Sequence, residues 1–405
     1  MNSATLKIDS YHGAMAALKN PALAQALYEA GGLVMNDALI TLHGEAHSQR
    51  RVVEFSVFSR SFFREYERSI FPAALKPVLD PHLHSGQADL VELGYRVTMN
   101  LTADFAGIDR PLGSAAETDA LLAMVKTFSE GATLVHSTRD HAEVNREVRT
   151  AMDRFETTFL LPSRARRLAL LADVEAGHAA PESLPRDVMT VLLRNRDRIP
   201  LTDEVFKREI AFFLQAGAHS TGNATTHAMH EIWQWLNETG TTAVELLNEP
   251  LLLQRCVHES LRLHPASPVA WRRAQDDLVL NEESVAKGSA VILDLQAANR
   301  DRSVFGEDAE RFNPHRALPQ GVWPFGLTFG YGVHACLGRD LDGGVVAKPG
   351  ANLAEHQFGI VPLMVRTLLS HGARPNPEEP PSADANTQRQ NWGHYPILLD
   401  MERSA

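Results

Sequence analysis

Apolar and small positions recur every three to four residues over 12–30, and again near 47–80, 86–107, 115–135, 138–173 and 185–196, the spacing of helices that bury one face. Pro81, Pro111 and Pro181 punctuate these runs. At Pro200-Leu201-Thr202-Asp203-Glu204 a capping hydroxyl precedes two carboxylates, the pattern of a helix start. No proline follows before Glu238, so the chain predicts a helix of roughly 50 Å, long enough to cross a whole domain. Short β-type runs such as Ala290-Val291-Ile292-Leu293 fall within 266–300 and 385–400. The reading is mainly α with minor β, without internal repeats or low-complexity blocks, and with one domain over 1–405.

Composition narrows the classes. Across 405 residues, 44% are apolar and 22% charged, which suits a soluble globular protein with a sizeable core. A net charge of −11 leaves no basic excess to neutralise phosphates and excludes nucleic acid as the expected partner. The two cysteines, Cys256 and Cys336, do not make a disulfide framework and fit a reducing cytoplasm. Cys256 lies in an apolar helical run and reads as a core residue. The opening Met1-Asn2-Ser3-Ala4-Thr5-Leu6-Lys7 lacks a leader pattern, and no run approaches the length of a membrane span.

Candidate chemistry concentrates in Phe329-Gly330-Tyr331-Gly332-Val333-His334-Ala335-Cys336-Leu337-Gly338. Gly330 and Gly332 can take the backbone angles of a tight bulge that brings N–H groups toward the Cys336 sulfur. Gly338 leaves room for a flat ligand against a helix that starts just after the cysteine, and Phe329 screens the sulfur from water. The loop alone also admits a small buried cysteine in a turn. As F-x-x-G-x-H-x-C-x-G, however, it resembles the haem-binding loop of the cytochrome P-450 family. That resemblance implies a triangular, mainly helical prism with small sheets around a buried haem b, whose iron Cys336 binds.

Further segments resemble the family in the same order. His258-Glu259-Ser260-Leu261-Arg262 matches its E-x-x-R, and Glu310-Arg311-Phe312-Asn313-Pro314-His315-Arg316 its P-E-R-F region. The resemblance implies a structural triad of Glu259, Arg262 and Arg316. His47 and Arg51 are spaced like its H-x-x-x-R helix, and Arg272 or Arg273, with His334, stands where haem carboxylates are held. Phe212-Phe213-Leu214-Gln215-Ala216-Gly217-Ala218-His219-Ser220-Thr221 resembles its oxygen-binding segment. Ala216 and Gly217 then leave space over the haem, and a hydroxyl after them opens the helix locally by bonding back to a carbonyl. Gly217, His219, Ser220 and Thr221 form the implied catalytic set, although His219 and Ser220 replace the usual acid and threonine. Phe213, Ser267, Pro268, Val269, Asn391 and Trp392 are the implied substrate contacts.

Two more departures stand out. The His47 helix comes early, so the first strands and helix are expected to be shortened or absent. Asp342-Gly343-Gly344 and Pro349-Gly350 interrupt the helix expected after Cys336. The implied activity is insertion of one atom of O2 into a small hydrophobic molecule. Electrons would come from NAD(P)H through a ferredoxin reductase and a ferredoxin, since the chain carries no redox domain of its own. The altered His219-Ser220 pair leaves two alternatives: a peroxide-using or rearranging haem-thiolate enzyme, or a haem-binding protein without turnover.

Overall fold

The computed structural model describes residues 5–401. Met1–Ala4 of the opening stretch and the last four residues of the one-domain span lie outside the described residues. Helices form most of the structure, with four small sheets among the described residues. The largest sheet runs in the order Leu6–Ile8, Ala290–Asp294, Val269–Ala274, Leu23–Gln25, its first pair parallel and the others antiparallel. Mainly α with minor β is therefore the architecture.

The long helix spans Asp203–Thr239, 37 residues, and starts as the sequence requires. The Thr202 side chain accepts from Val205 N, Asp203 and Glu204 occupy the first turn, and Gly240 ends it at φ 72°. It is buried along most of its middle because other helices cover it on several sides. The Leu90–Ala106 helix lies closest. Gly94 and Gly222 face each other there, and a Cβ on Gly94 would sit 3.2 Å from the Gly222 carbonyl oxygen. A Cβ on Gly217 would stand 2.4 Å from Thr102 Cγ2, so helix packing as well as open space requires that glycine.

Three local expectations change. Residues 12–30 are not one helix: Tyr11–Lys19 ends at Asn20, and Leu23–Gln25 is a strand paired with Arg272–Ala274. Pro21 explains this, since it cannot donate within a helix and disfavours helical angles at Asn20. Residues 47–80 divide where Ser59 caps a new helix by accepting from Phe62 N. Pro81 does not end a segment; it lies with Pro77 inside Phe71–Ser85, where buried Leu75, Val78, Leu79 and Leu83 hold the helix.

The Pro250–Leu263 helix carries a buried ionic knot. Glu259 pairs with Arg262 at 2.7 Å and with Arg316 at 3.0 Å. Arg262 also donates to the carbonyls of Asn299 and Ala309, tying this helix to the irregular stretch beyond it.

The helix after Cys336 is only Arg339–Asp342, and irregular chain follows until Ile360–Ser370. Glu67 accepts from the N–H groups of Phe358 and Gly359 and anchors the far end of this stretch. His258 holds the near end through Nε2 and the Gly343 carbonyl, 2.7 Å apart.

Burial lowers the His258 pKa to about 4, from 6.5, against the opposing effect of the Gly343 bond. The unfolded chain therefore takes up a proton first, and stability falls as pH drops below 6.5. By pH 5 this one group costs about 2 kcal/mol. His258→Gln keeps a donor for Gly343 and does not titrate. Its thermal midpoint is expected to drop less than the parent's between pH 7 and pH 5; equal drops would show that His258 is not part of the acid response.

Candidate active site

A cavity of about 380 Å³ lies between the middle of the Asp203–Thr239 helix and the Cys336 loop. Gly330 and Gly332 adopt φ of 66° and 70°, the left-handed angles that the bulge needs. The loop closes through Cys336 N–H to the Phe329 carbonyl at 2.8 Å. Cys336 lines the cavity and is accessible from it. Burial raises its thiol pKa to about 11, while the Gly338 N–H and the charges of Arg51 and Arg339 favour the thiolate.

Beside this loop the chain gathers nitrogen donors. The His47 and His334 rings lie 4.3 Å apart, and His43 lies 5.4 Å from His334. Arg51 donates to the Ala335 carbonyl at 2.6 Å, and Arg272 to Gln25 Oε1 at 2.6 Å. Burial, with the neighbouring cations, lowers His47 to about 4 and His334 to about 3; burial lowers Arg272 to about 10. No carboxylate stands close enough to act on the ionisation of these three. His47 Nε2 is buried without a hydrogen-bond partner.

On the opposite wall Ser220 Oγ donates to the Ala216 carbonyl at 2.6 Å, the back-bond the sequence suggests, yet the helix runs on unbroken. Thr221 Oγ1 donates to Asp342 Oδ1 at 2.6 Å, and burial raises the Asp342 carboxyl to about 6 against that bond. Both nitrogens of His219 are engaged. Arg389 Nη1 lies 2.9 Å from Nε2, and the Tyr95 hydroxyl meets Nδ1. A guanidinium only donates, so Nε2 accepts and the ring proton sits on Nδ1, directed at Tyr95. Burial and Arg389 lower the His219 pKa to about 3, and the ring is neutral.

Most of the residues singled out from the sequence meet at this cavity: Phe213, Ala216, Gly217, His219, Ser220 and Thr221 from the long helix; Phe329, Gly330, His334, Cys336 and Gly338 from the loop; His47 and Arg51; Ser267, Pro268, Val269 and Arg272; and Asn391. Two do not. Arg273 points to the other face of its strand and pairs with exposed Glu29 at 2.6 Å. Successive strand residues alternate faces, so only one of Arg272 and Arg273 can look inward. Trp392 turns away from the lining and packs against His230 and Tyr395. Sequence reasoning missed Tyr28, Asp342 and Arg389, which also line the cavity. Asp342 was visible only as part of a helix break, and Arg389 stood unnoticed two residues before Asn391.

A dicarboxylate macrocycle with a central metal matches this arrangement. The unpartnered His47 Nε2, Arg51, Arg272 and His334 form a cluster of nitrogen donors in which Arg51 alone feels a carboxylate, that of Glu54, and Cys336 lines the same open space.

Comparison with known proteins places the chain. A family model described as Cytochrome P450 matches residues 165–341. The mycinamicin VIII C21 methyl hydroxylase of Micromonospora griseorubida is 31% identical over 141 residues, 35% of this chain and 34% of the relative. The ganoderic acid synthetase CYP5150L8 of Ganoderma lucidum is 28% identical over 201 residues, 38% of this chain and 37% of the relative. The matched stretch thus spans little more than a third of the length of these curated relatives. Among solved structures, P450BioI in complex with hexadec-9Z-enoic acid ligated acyl carrier protein aligns with a TM-score of 0.73 at 19% identity, over 97% of this chain and 91% of that one. CalO2 aligns with a TM-score of 0.72 at 19% identity, over 97% and 90%. The family holds haem b, the group that the cavity fits. The structural likeness establishes the cytochrome P450 fold, and the family model, running through Glu259, Arg262 and the Cys336 loop, makes residues 165–341 similar in sequence to the cytochrome P450 family.

Proposed function

We propose that the chain is one haem-thiolate monooxygenase domain that inserts one oxygen atom of O2 into a small hydrophobic molecule. The observation that carries this reading is a cysteine lining a cavity whose opposite wall bears Ala216, Gly217 and two hydroxyls. When bound, haem would supply the redox chemistry that activates O2, tuned by a thiolate from the protein. Cys336 would be that thiolate, favoured by the Gly338 N–H. His47, Arg51, Arg272 and His334 would hold the two propionates. Phe58, Leu101, Phe105, Phe212 and Phe213 form an apolar wall that receives the substrate body and excludes water.

Proton delivery is where this chain differs from the family pattern. His219 keeps its proton toward Tyr95 and away from the cavity. The Asp342 carboxyl is partly protonated near neutral pH and touches Thr221 Oγ1, so we assign the proton path to Asp342 and Thr221, with Ser220 Oγ beside them. Electrons would arrive from NAD(P)H through a ferredoxin reductase and a ferredoxin. Two free cysteines and the lack, among the described residues, of a helix able to cross a membrane support a cytoplasmic setting.

The engagement of both His219 nitrogens favours one second reading, peroxide-driven turnover. The test screens hydrophobic compounds for low-to-high spin conversion and turns over the best with labelled O2, a surrogate ferredoxin and its reductase. Label in the product at one atom per O2 consumed is expected. A faster reaction with hydrogen peroxide alone selects the peroxide reading. Tight haem binding with no spin conversion and no product by either route leaves a haem-binding protein without turnover.

A further inference from the structure

Arg389 is a guanidinium without a carboxylate, 9% exposed, at the wall of the cavity beside Gln390 and Asn391. Five arginines are buried among the described residues. Three have acids: Arg50 with Glu209, Arg167 with Asp187, and Arg262 with Glu259. The other two, Arg272 and Arg389, both line the cavity. Arg272 belongs to the donor cluster beside the Cys336 loop. Arg389 lies against the long helix, its Nη1 on His219 Nε2 and its Nε buried with no partner, with the Tyr28 phenol feeling both it and Arg272.

Among the described residues nothing nearby balances that charge. The groups that act on it are the Tyr28 and Tyr95 phenols, both held neutral by burial. His219 and His136 are neutral, and His136 Nε2 is likewise buried without a partner. A full charge taken from water and left unpaired is among the costliest arrangements a fold can hold, and its planar fork suits a carboxylate.

We propose that Arg389 anchors the substrate, which carries a carboxylate on an otherwise apolar body. The inference rests on the monooxygenase reading and narrows its substrate class. The apolar body lies along the aromatic wall, where the Phe58 ring stacks on Phe105 at 5.7 Å and on Phe213 at 5.8 Å. A haem propionate is the same chemistry from another source, and the test separates the two.

The haem-loaded protein is titrated with octanoic, decanoic and dodecanoic acids and with the matching alcohols and methyl esters. Spin conversion and equilibrium dialysis are both read. At least one acid is expected to bind about tenfold or more tightly than its alcohol and ester, as a charge-assisted bond adds. Arg389→Gln is expected to erase that preference with haem content unchanged, and Arg389→Lys to keep part of it. Equal binding of acids and alcohols, or no binding of any acid, overturns the anchor. So does loss of haem from Arg389→Gln with the preference intact, which assigns the guanidinium to a propionate. The parent's acid-to-alcohol comparison stands even where a variant fails to fold. A normal thiolate spectrum without acid preference overturns only the anchor, whereas a missing thiolate spectrum in the parent overturns the monooxygenase reading itself.

Discussion

Cys336→His is expected to abolish the strongly red-shifted Soret band predicted for the dithionite-reduced, haem-loaded protein with carbon monoxide. The effect is expected to be complete, because the band reports electron density pushed onto iron by a thiolate, and imidazole cannot supply it. Only one other sulfur of this kind exists in the chain. Cys256 is buried in the Pro250–Leu263 helix, its thiol pKa raised by burial, and it does not line the cavity. Cys256→Ala therefore leaves the band where it is. For Cys336, the Gly338 N–H and the Arg51 and Arg339 charges offset part of the burial that raises the thiol to about 11, and a bound haem iron would favour the thiolate further. A blue-shifted band in the unaltered protein, or a red-shifted band that survives Cys336→His, would remove Cys336 as ligand and the proposed oxygenation with it.

What could be read from the sequence, and what could not, divides by distance along the chain. The Cys336 loop is ten contiguous residues whose glycines state their own backbone requirement, and Gly330 and Gly332 adopt it. The Thr202 cap and the glycine after Thr239 are equally local, so the central helix was legible to within a residue of its start. Arg272 and Arg273 are identical in type and adjacent; only the pairing of their strand with Leu23–Gln25 and Ala290–Asp294 decides which faces in. The chemistry of His219 was beyond reach for the same reason. Its tautomer depends on Tyr95, 124 residues before it, and Arg389, 170 after it. Pro21 was simply overlooked, although its effect on the preceding helix is local. Pro81 shows the opposite failure: a rule about local breaking was overridden by the packing of Leu75, Val78, Leu79 and Leu83.

The ionic knot of Glu259, Arg262 and Arg316 has the second large consequence. Its spacing was readable, but the same spacing on an exposed helix is worth well under ~1 kcal/mol. Burial changes the sign of the argument. Arg262 is fully buried and makes bonds to Glu259 Oε1 and Oε2 and to the carbonyls of Asn299 and Ala309. Arg262→Ala leaves Glu259 with Arg316 and the Asn313 N–H, and two buried carbonyls short of a donor, a loss of about 3–5 kcal/mol. Set against a total stability of about 5–15 kcal/mol, that loss is expected to leave little haem-loaded protein and to lower the urea midpoint sharply in what remains. Arg262→Lys keeps the charge but not the fork that reaches both carboxylate oxygens and both carbonyls, so it recovers only part of the loss. Arg273→Ala is the matched control, because its pair with Glu29 is exposed and costs less than about 1 kcal/mol to remove. Urea unfolding followed by circular dichroism, with haem content read on the same samples, measures all three. A parent-like midpoint and full haem content in Arg262→Ala would mean that the helix and the 299–316 stretch are held together by packing alone, with the ionic knot contributing nothing that the core does not already provide.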